Sequence, residues 1–121
     1  MATKPSPAPS HDIKECVQGG DGALARAFVF LGKRWNAVVL GILSVGPAGF
    51  RELSRAIGGI SDSVLSDRLA DLAGAGLIAR TVEEGPPISV SYALTDRGRA
   101  LIPALEQIAL WANEHLSEDP A

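Results

Sequence analysis

The stretch GISDSVLSDRLADLAGAGLIART, residues 59–81, contains the helix that decides the fold. Ser61 is well placed as an N-cap residue, and Asp62 follows it near the positive end of the helix dipole. Apolar residues recur at helical spacing and predict a side that faces the core: Val64, Leu65, Leu69 and Leu72. The glycines within residues 74–76 predict the end of the helix. The outer side is mostly serine and aspartate, so Arg68 is the only cation that this helix offers to a partner.

A shorter helix is predicted just before it. The segment FRELSRAIGG, residues 50–59, is amphipathic, with Phe50, Leu53 and Ile57 on its apolar side and two glycines at its end. Two short helices joined by a glycine-containing turn, the second with a bare outer face, are typical of a helix-turn-helix motif. The same pattern also fits an ordinary helical hairpin in a small α protein.

The segment that follows distinguishes the two. Residues 77–95, LIARTVEEGPPISVSYALT, alternate apolar and polar residues on two arms around a proline-bearing tip, which predicts a β-hairpin. Further helices are expected at residues 22–31 and within residues 34–47, the second ending at Gly46-Pro47, and Thr95 with Asp96 is expected to cap a last helix. A helix-turn-helix followed at once by a hairpin is the winged form of the motif. The predicted fold is therefore mainly α with a small β-hairpin (α+β), a winged helix-turn-helix.

The length of 121 residues predicts one domain around one core. We expect a flexible tail at residues 1–15 and the winged domain with its dimerisation helices at residues 16–121.

The first dozen residues lack the apolar run of a signal peptide. The longest apolar stretch, residues 35–50, is interrupted by Asn36, Ser44 and the Gly46-Pro47 pair and is too short to span a membrane. The sequence therefore favours a cytoplasmic protein without membrane contact.

Charge is unevenly distributed along the chain. The net charge is −3 and the pI is about 5.3, which argues mildly against nucleic acid as a partner. Between Arg26 and Arg55, however, five cations stand against the single acid Glu52, a local balance of +4. After Arg99 the chain contains acids and no lysine or arginine. The basic region can supply phosphate contacts that the net charge alone would not suggest.

At this point the chain resembles a known family, the HxlR-type winged helix-turn-helix transcriptional regulators, which are relatives of the MarR group. The matching blocks are LGKRW (31–35), GPAGFRELSRAIGGISDSVLSDRLADLAGAGLI (46–78), PPISVSYALTDRGRAL (86–101) and WANEHL (111–116). The resemblance implies a cytoplasmic, prokaryotic homodimer, expected to be a repressor, that binds a pseudo-palindromic double-stranded DNA operator. It also implies that DNA affinity changes when a small-molecule effector or an oxidant is sensed.

The resemblance also assigns DNA-binding residues. The recognition helix would begin at Ser61, and its groove-facing positions would be Asp62, Ser63, Ser66 and Asp67. Serine can donate to or accept from any base edge, and aspartate can accept from cytosine N4. Phosphate contacts would come from cations elsewhere: Arg51, Arg55, Arg68, Lys33 and Arg34. Each of these cations could instead be an exposed salt-bridge partner, for example Arg68 with Asp71 at i, i+3.

Two features depart from the family pattern. Relatives often carry an arginine in the wing at the position of Ser89, where it can reach a minor groove, but here the wing has Glu83 and Glu84. Ser89 is thus the wing position assigned to DNA contact, and the acidic residues of the wing argue against a minor-groove contact there. Relatives also often have a sensor cysteine before the first long helix. Cys16 lies in that region but farther from GKRW than expected, so a redox sensor and a plain thiol both remain open.

Apolar residues of the two terminal helices are interpreted first as core and dimer surface, because a domain of this size rarely buries such stripes alone. An effector pocket among the same residues is the second interpretation. They are Leu24, Phe28, Trp35, Leu105, Ile108 and Trp111.

Catalytic and metal sites lack the necessary residues. The single cysteine, Cys16, and the two histidines, His11 and His115, are dispersed along the chain, and neither Cys16 nor His115 is predicted to lie in a loop with an orienting carboxylate in reach. We therefore expect no enzyme, no metal site and no cofactor. The main alternative to a DNA-binding regulator is a winged helix that binds protein, since a low pI and an acidic wing suit that role.

Overall fold

Six helices and two strands follow one another in the computed structural model, which describes residues 13–17 and 22–116. The elements are α1 (Ile13–Cys16), α2 (Ala23–Leu31), α3 (Asn36–Leu43), α4 (Phe50–Ile57), α5 (Asp62–Gly74), β1 (Ile78–Glu83), β2 (Ser89–Leu94) and α6 (Asp96–His115). The chain divides into two compact units, residues 1–33 with α1 and α2, and residues 34–121 with the remaining elements. The predicted tail, residues 1–15, lies outside the described residues except for Ile13 and the following residues of α1.

The core of the second unit is built from leucines of the helix-turn-helix around α3. Its buried apolar side chains are Val39, Leu40, Leu43, Leu53, Leu65, Leu69, Leu72, Leu77, Ile78 and Leu94. Full burial of one such side chain stabilises the fold by roughly 1.5–3 kcal/mol. The expectation that Val64 faces the core is wrong, because this side chain is 39% exposed. It lies on α5 beside Ser63, away from the line of buried leucines.

The turn between α4 and α5 depends on glycine. At the start of α4, the carboxylate Oε1 of Glu52 accepts a hydrogen bond of 2.7 Å from the backbone N–H of Gly49. The helix ends at Gly58 and Gly59, whose φ angles of 67° and 76° are strained for residues with a Cβ. The chain then reverses within a few residues to begin α5. The hydroxyl of Ser61 accepts from the N–H of Val64 at 3.2 Å, which confirms the predicted N-cap.

The wing is an antiparallel pair of β1 and β2 in which Ile78 lies opposite Leu94 and Glu83 opposite Ser89. Ala48, just before α4, extends this sheet by one residue. Its N–H donates to the carbonyl of Tyr92 at 3.0 Å, and the N–H of Tyr92 donates back at 2.8 Å. The wing is therefore hydrogen-bonded to the segment that leads into the helix-turn-helix.

Thr95 fixes the junction between the wing and the last helix. Its hydroxyl donates to the carbonyl of Gly76 at 2.7 Å and accepts from the N–H of Gly98 at 3.1 Å. The second of these bonds is the N-cap of α6 that the sequence predicts.

Among the described residues, no helix is both long and apolar enough to cross a membrane.

Candidate nucleic-acid interface

The outer side of α5 is polar and uncovered. The buried side of α5 is formed by Leu65, Leu69 and Leu72, so the opposite side of the helix faces solvent. All the residues predicted to face a DNA groove are exposed on that outer side: Asp62, Ser63, Ser66 and Asp67. Ser61, the predicted first residue of the recognition helix, is exposed as its N-cap. The hydroxyls and carboxylates of these residues are therefore exposed to solvent.

Arg51 and Asp62 bind each other across the helix-turn-helix. Nη1 of Arg51 lies 3.3 Å from Oδ1 of Asp62, and Nη2 lies 2.8 Å from Oδ2, so the contact is bidentate. It joins the first turn of α4 to the first turn of α5, and both side chains are more than half exposed. The hydrogen bond from Arg51 lowers the pKa of Asp62, and the hydrogen bond to Asp62 raises the pKa of Arg51.

Arg68 is held within its own helix. Its Nη2 lies 3.2 Å from Oδ2 of Asp71, three residues later, and only 16% of the Arg68 side chain is exposed. This is the ion pair that the sequence offers as the alternative to a phosphate contact. A direct phosphate contact from Arg68 stays a prediction, and the residue would have to leave a mostly buried position to make it.

The other predicted cations differ in their surroundings. Arg55 is exposed on α4, and no ion pair to it is found in the described part of the chain. Arg34 precedes α3 with its guanidinium carbon 4.4 Å from the centroid of the Trp35 ring. Lys33 is the last residue of the first unit, whereas Arg34 begins the second. Arg55 is therefore the predicted cation that lies freely exposed on the helix-turn-helix itself.

Arg80, which was not among the predicted DNA-binding residues, lies beside α5. Arg80 of β1 and Tyr92 of β2 line a cleft of about 200 Å³ together with Ser66, Leu69, Ala70 and Ala73 of α5. Strand register explains this position. Arg80 is two residues after buried Ile78, so both side chains are on the face of the hairpin that packs against the core. The period-two alternation was the available signal, and it could have placed Arg80 next to the recognition helix.

The opposite face of the wing carries the acid. Ser89 lies directly across from Glu83, and both residues are exposed. Directly opposed residues share one face of a sheet, so the Glu83 carboxylate is the cross-strand neighbour of Ser89. The position where the resemblance suggests a minor-groove arginine is thus occupied by a hydroxyl next to a carboxylate.

Four of the six residues predicted for a dimer surface or an effector pocket line clefts, two of them in each unit. Leu24 and Phe28 line a cleft of about 420 Å³ in the first unit with Val17 and Ala25. Leu105 and Ile108 line a groove of about 440 Å³ between α3 and α6 in the second unit. Trp35 and Trp111 belong to the lining of neither. Trp111 is exposed, with its ring centroid 5.7 Å from that of His115.

Metal-ligating side chains do not cluster in the described part of the chain. Among the described residues, no group of three or more histidine, cysteine, aspartate and glutamate side chains could hold a metal ion. Cys16 is the last residue of α1, and its side chain lies outside what the structure describes.

Comparison with known proteins decides the family. Residues 30–120 match the model of the HxlR-like helix-turn-helix family. The chain belongs to this family. It is therefore an HTH-type transcriptional regulator and not an enzyme, as the resemblance predicted, and the family match includes α5 and the wing.

Individual relatives agree. The HTH-type transcriptional regulator YodB of Bacillus subtilis is 36% identical over 88 residues, which cover 73% of this chain and 79% of YodB. A second HTH-type regulator of the same organism, YvaP, is 38% identical over 96 residues, 79% of this chain and 87% of YvaP.

Solved structures share the fold. The reduced form of B. subtilis YodB has a TM-score of 0.71 with 33% identity and covers 80% of this chain and 95% of that chain. YodB has also been solved in diamide-treated and quinone-bound forms. The redox regulator HypR in its oxidized form has a TM-score of 0.74 with 25% identity, covering 78% of this chain and 98% of its own. The winged helix-turn-helix fold is thus confirmed, and two similar proteins are redox-linked regulators.

Proposed function

We propose that this regulator is a cytoplasmic homodimeric repressor that binds a pseudo-palindromic duplex with α5 in the major groove. The observation that carries the proposal is the outer side of α5. It is mostly polar and exposed, Arg55 is exposed on α4, and Arg80 lines the cleft beside Ser66. Val64 is the single large apolar side chain exposed on α5, so this helix would gain little from an apolar protein partner, whereas its hydroxyls and carboxylates suit base edges.

Affinity and sequence choice would come from different residues. Arg55 and Arg80 are exposed and would contact phosphates, which fixes the position of the protein on the duplex. Ser63, Ser66 and Asp62 would face base edges, where a good pair of hydrogen bonds is worth about 1–3 kcal/mol of discrimination. Because the net charge is −3 and the wing is acidic, binding to random DNA should be weak at physiological salt.

Two copies of the chain would use exposed apolar side chains of their terminal helices to associate. In α2, Leu24 and Phe28 are exposed, and in α6, Ile108 and Trp111 are exposed. Such side chains on a small domain are typical of a subunit interface. A two-fold dimer would present two copies of α5 to two half-sites of a palindrome.

Regulation would act through the single cysteine. Cys16 is the only cysteine in the chain, so an oxidised form can contain only a disulfide to another molecule or a capped thiol. In a dimer, Cys16 and Cys16 of the partner subunit would lose two protons and two electrons to an oxidant such as diamide, which becomes the hydrazine. The redox-linked forms of YodB and HypR support this class of signal.

The second candidate for the regulatory signal is a small apolar effector bound in the groove between α3 and α6.

A mobility-shift assay with the DNA upstream of the protein's own gene tests the proposal. The purified protein should retard this duplex at concentrations that leave a random duplex of equal length free, and the difference should persist near physiological salt. If neither duplex is retarded even at low salt, the DNA-binding proposal is wrong. The acidic wing would then favour the alternative, a winged helix that binds a basic protein surface.

A further inference from the structure

We propose that Arg51 is a positioning residue for sequence choice: it holds the Asp62 carboxylate so that this carboxylate accepts from the exocyclic amine of a cytosine. The inference rests on the proposed insertion of α5 into a major groove. It replaces the simpler expectation that Arg51 is an independent phosphate anchor like Arg55. The bidentate contact between α4 and α5 supports the inference. The sequence predicts a phosphate contact for Arg51 and a base contact for Asp62, but the structure shows the two side chains bound to each other.

The geometry leaves the carboxylate able to read a base. Each oxygen of Asp62 accepts from one nitrogen of Arg51, at 3.3 Å for Oδ1 and 2.8 Å for Oδ2. A carboxylate oxygen has a second lone pair, so one acceptor site on each oxygen stays open. The planar guanidinium also fixes the plane of the carboxylate, which a flexible exposed aspartate would otherwise sample freely. Asp62 is thus held as an oriented acceptor at the start of α5.

The charge of Arg51 also explains how the Asp62 carboxylate can enter a major groove. An aspartate in a major groove is repelled by the phosphates on both sides, and this cost would fall on every duplex. With Arg51 at 2.8 Å the pair is neutral, so the acceptor can enter the groove without a net charge. Because its charge is already paired with Asp62, Arg51 does not neutralise a DNA phosphate and so releases no counterion from the duplex. Arg55, for which no ion pair is found in the described chain, keeps the role of a phosphate contact.

Asp67 provides a matched control on the same helix. It is also an exposed aspartate of the outer side of α5, and no ion pair to it is found within the described residues. Removing Asp67 takes away the same charge from the same surface but breaks no contact with Arg51. Any effect that depends on pairing should therefore separate the two aspartates.

The experiment compares affinity for the operator duplex with affinity for a random duplex, using the full chain and the variants Arg51→Lys, Arg51→Ala, Asp62→Ala and Arg55→Ala. Lysine keeps the charge but cannot make the bidentate contact. Arg51→Lys and Asp62→Ala should each lower the operator-to-random ratio about tenfold, and Arg51→Lys with Asp62→Ala should lower it no further. In single base-pair substitutions of the operator, one C·G position should lose its preference in both variants. Arg55→Ala should weaken both duplexes equally.

The controls and contrary outcomes are distinct. Combining Arg51→Lys with Asp67→Ala should give the product of the two single effects, because those residues share no contact. If Arg51→Lys leaves the ratio unchanged and Arg51→Ala weakens both duplexes like Arg55→Ala, Arg51 is a phosphate anchor and the inference is wrong. In that case the wild-type chain still discriminates the operator and the proposed function stands. If the wild-type chain itself does not discriminate, the proposed function and the inference both fail.

Discussion

Arg80 of β1 lies directly opposite Tyr92 of β2, and both side chains line the cleft beside Ser66 of α5. The wing and the recognition helix therefore meet at a place that offers one guanidinium and two hydroxyls. No ion pair to Arg80 is found in the described part of the chain. A cation in this position is available to a phosphate that flanks the groove occupied by α5.

Replacement of Arg80 by alanine should weaken binding to operator and random duplexes by a similar factor. Each phosphate contact contributes about 0.9 to the slope of log affinity against log salt concentration, so the slope should fall by about that amount per subunit. Arg99→Ala is the matched control, because Arg99 is an exposed arginine of α6 outside the proposed DNA surface. Equal slopes for both variants and the wild-type chain would exclude a phosphate contact at Arg80.

Serine-to-alanine changes on α5 should have a different signature. Ser63 and Ser66 are exposed and uncharged, so Ser63→Ala and Ser66→Ala should cost about 1 kcal/mol on the operator and little on random DNA. Filter binding at two salt concentrations would measure both quantities. The assignment of sequence reading to α5 is wrong if these variants keep the operator-to-random ratio while Glu83→Gln or Glu84→Gln changes it.

Local chemistry explains why much of this fold was predictable. The N-caps at Ser61 and Thr95 depend on residues within three positions, and the hairpin follows from period-two alternation, so both can be read along the chain. The Arg51–Asp62 contact joins residues eleven positions apart, and it forms only when the glycine turn brings α4 and α5 together. Linear spacing cannot specify that pairing. Apolar spacing also predicts Val64 in the core, but Leu65, Leu69 and Leu72 fill the buried side of α5 and leave Val64 39% exposed.

The ionisation of Asp62 should report on its contact with Arg51. The hydrogen bond from Arg51 lowers the pKa of Asp62, so the pair stabilises the folded chain at pH values above the unfolded aspartate pKa. This stabilisation is lost as the pH falls through the lowered folded pKa. Carbon-detected NMR titration should give a higher Asp62 pKa in Arg51→Ala than in the wild-type chain. Arg55→Ala should not change it, and a shift of the same size there would argue against a specific pair.

Oxidation should act on the chain through Cys16. Treatment of the purified chain with diamide should give a dimer that survives denaturing, non-reducing electrophoresis, because a single cysteine cannot form a disulfide within one chain; if a small thiol is present, a mixed disulfide is the other product. Operator affinity should change with the same dose and return on reduction. Cys16→Ser should remove both responses while leaving operator affinity in reductant intact. If the variant responds to diamide as the wild-type chain does, the plain-thiol interpretation is correct.

Association of two chains should depend on Trp111 of α6, which is 53% exposed. Sedimentation at micromolar concentration should give about twice the chain mass of 12.6 kDa, and Trp111→Ala should shift the population toward the monomer. Val45→Ser is a matched control, because Val45 is 90% exposed and apolar but belongs to neither terminal helix. This change should leave the mass of the assembly unaltered. A wild-type chain that sediments as a monomer would remove the dimer and, with it, the reason to expect a palindromic operator.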